Sequence, residues 1–350
     1  MSELVTVTGA GGYVGSILVG RLLRAGYAVR AIDRFFFGME PLDIYRHHPK
    51  LDVRQQDIRQ LAPGDLEGSW GVIDLAALSN DPSGDLDPEL TFQINQRGRI
   101  NLARAAKLAG VRRYVMSSSC SVYGAGSEAN LTEDSELNPL TAYAKSCAAA
   151  EEVVRGLNGP EFTSTALRLS TLFGLSPRMR FDLVVNAMTL DAVSKRVISV
   201  SGGQQWRPLV GVTDAARAFI AALESAPGAI GGNVFNIGLS NLQVIDVAAV
   251  VRETVPGPVD VVVKAVESDA RNYSVSFERA AASIGFTAKQ TLRDSILEIA
   301  AALQEWRVRT DDRTRTVVWY QQLLAKGGAG LTYAAPNQNE SGPSITAVNS

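Results

Sequence analysis

Glycines at 9, 12 and 15 in Thr8-Gly9-Ala10-Gly11-Gly12-Tyr13-Val14-Gly15 follow an apolar run, Leu4 to Thr8, and open a stretch of helical spacing, Tyr13 to Ala25. A strand that turns sharply into a helix leaves the first helical N–H groups free and the positive end of the dipole exposed, which suits phosphate oxygens. Gly9 allows the tight turn, Gly12 the approach of backbone to a pyrophosphate, and Gly15 close packing of helix on strand. Asp33, 18 residues beyond Gly15, ends the next apolar run, Ala28 to Asp33. There a carboxylate can accept hydrogen bonds from the ribose hydroxyls of an adenosine. With Tyr13 and Val14, these residues predict a nicotinamide-dinucleotide site. The Asp33 carboxylate repels a 2′-phosphate and so favours NAD over NADP, while the neighbouring Arg34 pulls the other way.

Such a site needs a sheet to hold it. Trp70 to Ala76, Arg113 to Ser118 and Thr163 to Leu169 are further apolar runs, and Pro88 to Ala109 and Tyr143 to Leu157 have helical spacing. Strands and helices alternating at these lengths imply βαβ units with right-handed crossovers. The predicted fold class is α/β, a doubly wound parallel Rossmann sheet with a smaller C-terminal α/β substrate lobe. After Arg168 the rhythm loosens. Phe181 to Ser194, Ala215 to Glu224, Val244 to Thr254, Leu292 to Trp306 and Thr314 to Leu324 are expected helices. Val197 to Val200, Asn233 to Ile237 and Val259 to Val263 are expected strands. Thr213 or Asp214 is the expected N-cap of the helix that runs to Glu224. Residues 1–169 and 209–238 are assigned to the dinucleotide domain, and 170–208 and 239–326 to the substrate lobe. Residues 327–350 are small, polar and turn-rich, and are expected to form a disordered tail.

The chain has 350 residues, enough for two lobes and substantial cores. Its 34 basic and 36 acidic residues leave a formal charge of −2. That balance argues against a nucleic-acid or membrane surface, though not against a local phosphate pocket. Two cysteines make no disulfide framework. No signal-peptide pattern follows Met1, and no apolar run approaches the roughly 18 residues of a transmembrane helix. A cytoplasmic protein is expected. His47 and His48 lie in a polar connection, and no Cys, His or carboxylate cluster has metal-ligand spacing, so no metal is expected.

Further motifs, in order, are Asp57-Ile58, Asp74-Leu75-Ala76-Ala77, Asn95, Ser117-Ser118-Ser119, Val122-Tyr123-Gly124 and Asn138-Pro139-Leu140-Thr141-Ala142-Tyr143. With the glycine turn, their order and spacing from about Leu4 to Leu324 resemble the extended short-chain dehydrogenase/reductase family, particularly its nucleotide-sugar epimerases. The resemblance implies NAD as cofactor. It puts Asp57 and Ile58 beside the adenine and adds Leu75, Ala76, Ala77 and Asn95 to the cofactor site. It makes Tyr143 the group that exchanges a proton with a substrate hydroxyl while hydride moves to or from the nicotinamide. Ser119 becomes the hydroxyl that shares its hydrogen bond. A homodimer built from Pro88 to Ala109 and Tyr143 to Leu157 of each subunit is also implied.

One position departs from the resemblance. The family places a lysine four residues after the tyrosine, on the same helix face, and here that residue is Cys147. An unperturbed phenol titrates near ~10, so roughly one in a thousand is ionised at pH 7, and lowering it by ~3 takes about 4 kcal/mol. Lys145 lies about 200° round the helix from Tyr143 and cannot stand in. Tyr143 is therefore expected to be a weaker base than the family norm, and Cys147→Lys to raise activity. Three readings follow: an enzyme with altered proton chemistry, a protein that binds cofactor without hydride transfer, or a chain in which lysine was replaced. For Cys147 the alternative to a chemical role is a small buried helix residue. A Cys120–Cys147 contact is also conceivable.

Within the resemblance, 4,6-dehydratases carry Asp-Glu where this chain has Cys120 and Ser121, and decarboxylases keep the glutamate. Without those carboxylates the pattern is most similar to an epimerase, which oxidises one carbon to a keto-sugar and returns hydride to its other face. A one-way NAD(P)H-dependent keto-sugar reductase is the alternative. The implied substrate is a nucleotide-diphosphate sugar. Ser119, Cys120, Ser121, Tyr143 and Ser170 are expected around it, with Asn186, Arg207 and Arg271 at the diphosphate, where rigid guanidinium forks suit paired phosphate oxygens. Ser170 is a second departure, since the family commonly has asparagine there.

Overall fold

The computed structural model describes residues 2–125, 130–265, 271–327 and 331. Strands β1 (Leu4–Thr8), β2 (Ala28–Asp33), β3 (Leu51–Gln55), β4 (Ser69–Asp74), β5 (Arg113–Ser119) and β6 (Thr163–Leu169) come first. They are followed by β7 (Thr171–Phe173), β8 (Val197–Ser201), β9 (Trp206–Gly211), β10 (Val234–Ile237), β11 (Ser240–Gln243) and β12 (Asp260–Lys264). Seven of them form one sheet in the order β3-β2-β1-β4-β5-β6-β10, every pairing parallel. A parallel sheet is covered on both faces, so its inner strands need apolar or small residues on both sides. β6 is buried along all seven residues; six are apolar or small, and the exception, Arg168, pairs with the equally buried Glu151. The strand order reverses between β1 and β4, and the crevice beyond their C-terminal ends is where such sheets bind ligands.

Helices α1 (Gly15–Arg24), α2 (Arg99–Leu108), α3 (Ala142–Gly156), α4 (Val212–Glu224) and α5 (Thr316–Ala325) are those that concern the site. α1 and α4 pack on one face through Leu18, Leu22, Phe219 and Leu223, in the same core as Val5 and Val7. Each such side chain contributes about 1.5–3 kcal/mol on burial. α2 and α3 bury Leu102, Ala106, Ala150 and Val154 with Tyr114 and Met116 in a second core. A smaller region pairs β7 with β9 in parallel and β9 with β11 antiparallel, and sets β8 beside β12. Its own core holds Val185, Met188, Ile198, Val247 and Ile296.

Several elements differ from the sequence-based expectation. Pro88 to Ala109 is not one α-helix: α-helical Pro88–Thr91 passes into a π-helical segment, Phe92–Gly98, before α2. The side chain of Asn95, within that segment, grips both backbone groups of Leu78, and π turns commonly mark such functional insertions. Neither Thr213 nor Asp214 is an N-cap. α4 begins after Gly211, and the Asp214 carboxylate instead accepts the backbone N–H groups of Lys289 and Gln290 at 2.5 and 2.6 Å. β3 was not anticipated: no residue of Leu51–Gln55 is fully buried, as befits an edge strand, so it lacks the apolar run of the inner strands. Of the expected tail, Leu331 is buried with Leu78, Leu90 and Tyr320, and apart from Gly327 the rest lies outside the described residues.

Candidate active site

A cleft of about 580 Å³ opens at the crevice between β1 and β4. Gly9 holds φ at +66°, and a Cβ there would lie 2.8 Å from the Leu75 carbonyl carbon. Only glycine lets the turn lie this close to the segment after β4. Gly12 closes the turn by donating to the Gly9 carbonyl at 3.0 Å. No side chain caps α1 and no acid sits in its first turn, so its N–H groups and dipole face the cleft uncompensated. Tyr13, Val14 and Gly15 also line this wall, with Leu75, Ala76 and Ala77 opposite.

The Asp33 carboxylate is fixed by the Gly11 N–H at 2.9 Å and the Phe35 N–H at 2.8 Å. Burial raises its pKa, against the pull of those donors. Arg34 is committed to Asp57 at 3.4 Å and lies over the Phe36 ring, which weakens its attraction for a 2′-phosphate. Asp57 is held more closely by Arg59, at 2.6 Å, and stays below the usual carboxylate range even though burial pushes the other way. Ile58 lines the cleft beside it. Ser118 Oγ and Arg178 Nε, in residues of the cleft wall, are buried without a hydrogen-bond partner. Buried polar atoms are rarely left so. The glycine cradle, a fixed carboxylate and orphaned donors fit a dinucleotide. Asn95 is the exception among the expected cofactor residues: it is fully buried behind the wall and acts by clamping Leu78.

Tyr143 stands in the first turn of α3, whose N-cap Thr141 accepts the Ala144 N–H at 3.1 Å and donates to Asp81 at 2.6 Å. The phenol faces the cleft with Ser119, Ser121 and Ser170. Ser121 donates to the Ser119 hydroxyl through its own hydroxyl at 2.8 Å. Burial holds the Tyr143 pKa well above the ordinary value, and Cys147 and Asp81 push it further; a hydrogen bond with Ser119 and the charge of Arg99 pull it down. Cys147 is 1% exposed and does not reach the cleft wall. Burial pushes its thiol up to about 11, against the pull of Arg99 and of a hydrogen bond with Tyr143.

A cation that the sequence reading did not anticipate nevertheless acts on Tyr143. Arg99 arrives from α2, fully buried, pairing with Asp74 at 2.9 Å and donating to the Ser117 carbonyl at 2.5 Å. Reading one helix face finds only residues of that helix, and this guanidinium comes from its neighbour. Cys120 is also displaced from the expected site. It is buried with its thiol on the Arg168 carbonyl at 3.3 Å, and both cysteines are free thiols in one apolar cluster.

On the substrate side Arg207 and Arg271 both line the cleft. Arg207 donates to the Arg271 carbonyl at 2.5 Å, and Arg271 pairs with Asp81 at 2.8 Å. Asn186 does not join them. It is fully buried, accepting the Gly174 N–H and donating to Tyr13 Oη and the Arg180 carbonyl, so it ties the loop after β7 to the glycine turn. Asp81, Arg178, Arg180 and Asp182 line the cleft and were not anticipated. The spacing of Arg180 and Asp182, which pair at 2.7 Å, was the one available signal.

Comparison with known proteins bears on this geometry. The description "NAD dependent epimerase/dehydratase family" matches residues 5–238. The chain is 31% identical to a UDP-glucose 4-epimerase of Mycolicibacterium smegmatis over 243 residues, 66% of this chain and 76% of that protein. It is 30% identical to a dTDP-glucose 4,6-dehydratase of Streptomyces griseus over 346 residues, 93% and 99% of the two chains. Among solved structures it is similar to MoeE5 in complex with UDP-glucuronic acid and NAD, with a TM-score of 0.75 and 28% identity, covering 86% of this chain and 99% of that one. Among the described residues no helix is long and apolar enough to cross a membrane.

Proposed function

The chain belongs to the NAD dependent epimerase/dehydratase family, and on that premise we propose that it is an epimerase of a nucleotide-diphosphate sugar. One observation carries the reading. The Tyr143 phenol faces a cleft with the glycine turn along one wall and Arg207 and Arg271 along another, while positions 120 and 121 offer a buried thiol and a serine hydroxyl instead of carboxylates. NAD, when bound, supplies the hydride acceptor and donor that interconvert an alcohol carbon and a carbonyl. Tyr143, whose phenolate the positive nicotinamide of bound NAD would favour against burial, would take the proton of the substrate hydroxyl and return it, and Ser119, itself held by Ser121, orients that phenol. Arg207 and Arg271 hold the diphosphate while the sugar turns between its two faces. The substrate lobe in this reading is drawn from 170–208 and 239–326, and two copies associate through residues 88–109 and 143–157 of each.

Incubating the purified chain with UDP-, GDP-, CDP- and dTDP-sugars tests the proposal. An epimer formed without added cofactor is the expected result. Consumption of added NADH with a keto-sugar would make it a reductase, loss of water a dehydratase, and bound NAD without any product a binding protein. Each of those three outcomes overturns the epimerase reading.

A further inference from the structure

Four arginines are buried among the described residues: Arg99, Arg168, Arg178 and Arg180. Arg99 pairs with Asp74, Arg168 with Glu151 and Arg180 with Asp182. Arg178, 6% exposed, has no carboxylate within ion-pairing distance among the described residues. Its guanidinium carbon lies 3.7 Å above the centre of the Phe37 ring, one Nη donates to Thr316 of α5 at 3.1 Å, and Nε is buried with no partner. An aromatic face and one hydroxyl do not repay the desolvation of a full charge. Burial and the like charge of Arg180 draw its pKa down to about 10, so it remains a cation at neutral pH.

Asp182 and Asp33 favour the charge of Arg178 from a distance but neither pairs with it, which leaves a buried cation able to receive an anion that arrives later. Nearby acids are already engaged: Asp33 accepts two backbone N–H groups and Asp182 is gripped by Arg180. Arg178 lines the cleft alongside Gly12 to Gly15, and its field reaches both Tyr13 and Asp33. A second cavity, of about 450 Å³, lies on its other side, but Arg309 and Arg313 there already share Glu40. We infer that Arg178 is a phosphate receptor for the bound dinucleotide, completing from the loop after β7 the diphosphate site that the N-terminus of α1 begins. The inference rests on NAD occupying this cleft and is independent of which sugar reaction follows.

Calorimetric titration of the full chain with NAD, NADP and adenosine tests it, using wild type, Arg178→Met and Arg178→Lys. Arg178→Met should weaken NAD by tenfold or more and NADP by the same factor, leave adenosine within about twofold, and raise the ligand-free melting temperature by relieving the buried charge. Arg178→Lys should retain part of the affinity, and it carries the test if the methionine variant does not fold. NAD affinity unchanged in both variants overturns the inference. So does a loss confined to NADP, which would make Arg178 a 2′-phosphate receptor, or an equal loss for adenosine, which would make it merely structural.

Discussion

Cys147→Lys puts an ammonium where the electrostatics of the site are already occupied. Position 147 is 1% exposed, and the Arg99 guanidinium acts on both its thiol and the Tyr143 phenol. A new cation there would favour the phenolate, toward the about 4 kcal/mol that a drop of ~3 in a phenol pKa requires. Two like charges about 5 Å apart at an effective dielectric of about 20 repel by about 3 kcal/mol. Asp74 offsets part of that for Arg99, so the single variant should lose roughly 2–3 kcal/mol of stability. Arg99→Gln alone strands the Asp74 carboxylate, although Thr8 at 2.9 Å and Tyr114 at 3.0 Å still donate to it. That substitution should cost about 3–5 kcal/mol. In the double variant the new ammonium replaces the lost guanidinium, so the two changes should couple favourably by about 2–3 kcal/mol. Urea unfolding of the four proteins measures the coupling, and pH–rate profiles of the same four follow the phenol, whose ionisation should move to lower pH in the double variant. Additivity within about 0.5 kcal/mol would refute the placement of the Arg99 charge beneath position 147. A profile that does not move would refute Tyr143 as the proton-exchanging group.

Three further outcomes are expected. Burial holds the Cys147 thiol protonated up to about 11 in the folded chain, whereas an unfolded chain releases that proton from ~8.5. This contribution to stability is complete below ~8.5 and is lost as pH rises through the folded value. Cys147→Ala should therefore reduce the alkaline fall in unfolding free energy by about 3 kcal/mol, and equal slopes in the two proteins would contradict the burial argument. Gly9→Ala forces a Cβ against the Leu75 and Ala76 backbone at a φ of +66°, so it should cost about 1–3 kcal/mol and weaken NAD binding. A variant with wild-type melting temperature and NAD affinity would contradict that close approach. Asn186→Ala leaves the Gly174 N–H unpaired and should cost about 1–3 kcal/mol of stability. It should leave nucleoside-diphosphate affinity intact, whereas Arg207→Ala weakens that affinity; isothermal titration with UDP separates the two.

What was legible in the residues is what local chemistry decides. Gly9 needs its positive φ whatever lies elsewhere, and apolar runs of strand length alternating with helical spacing imply a parallel sheet wherever they occur. The glycine turn, Asp33 at the end of β2 and Tyr143 at the start of α3 could therefore be placed before any tertiary contact was known. Asn95 and Asn186 could not be placed, because an amide that grips a buried backbone group and one that grips a ligand have the same local appearance. Only the strand or loop across from them decides which. Arginines carry this ambiguity furthest. Arg180 finds its carboxylate two residues away, Arg168 seventeen and Arg99 twenty-five, and only the first of these is a spacing that invites notice. A formal charge of −2 over 350 residues says nothing about where charge is balanced. Once three buried guanidiniums are matched to carboxylates and the fourth is not, the imbalance singles out Arg178 as the arginine to test against NAD.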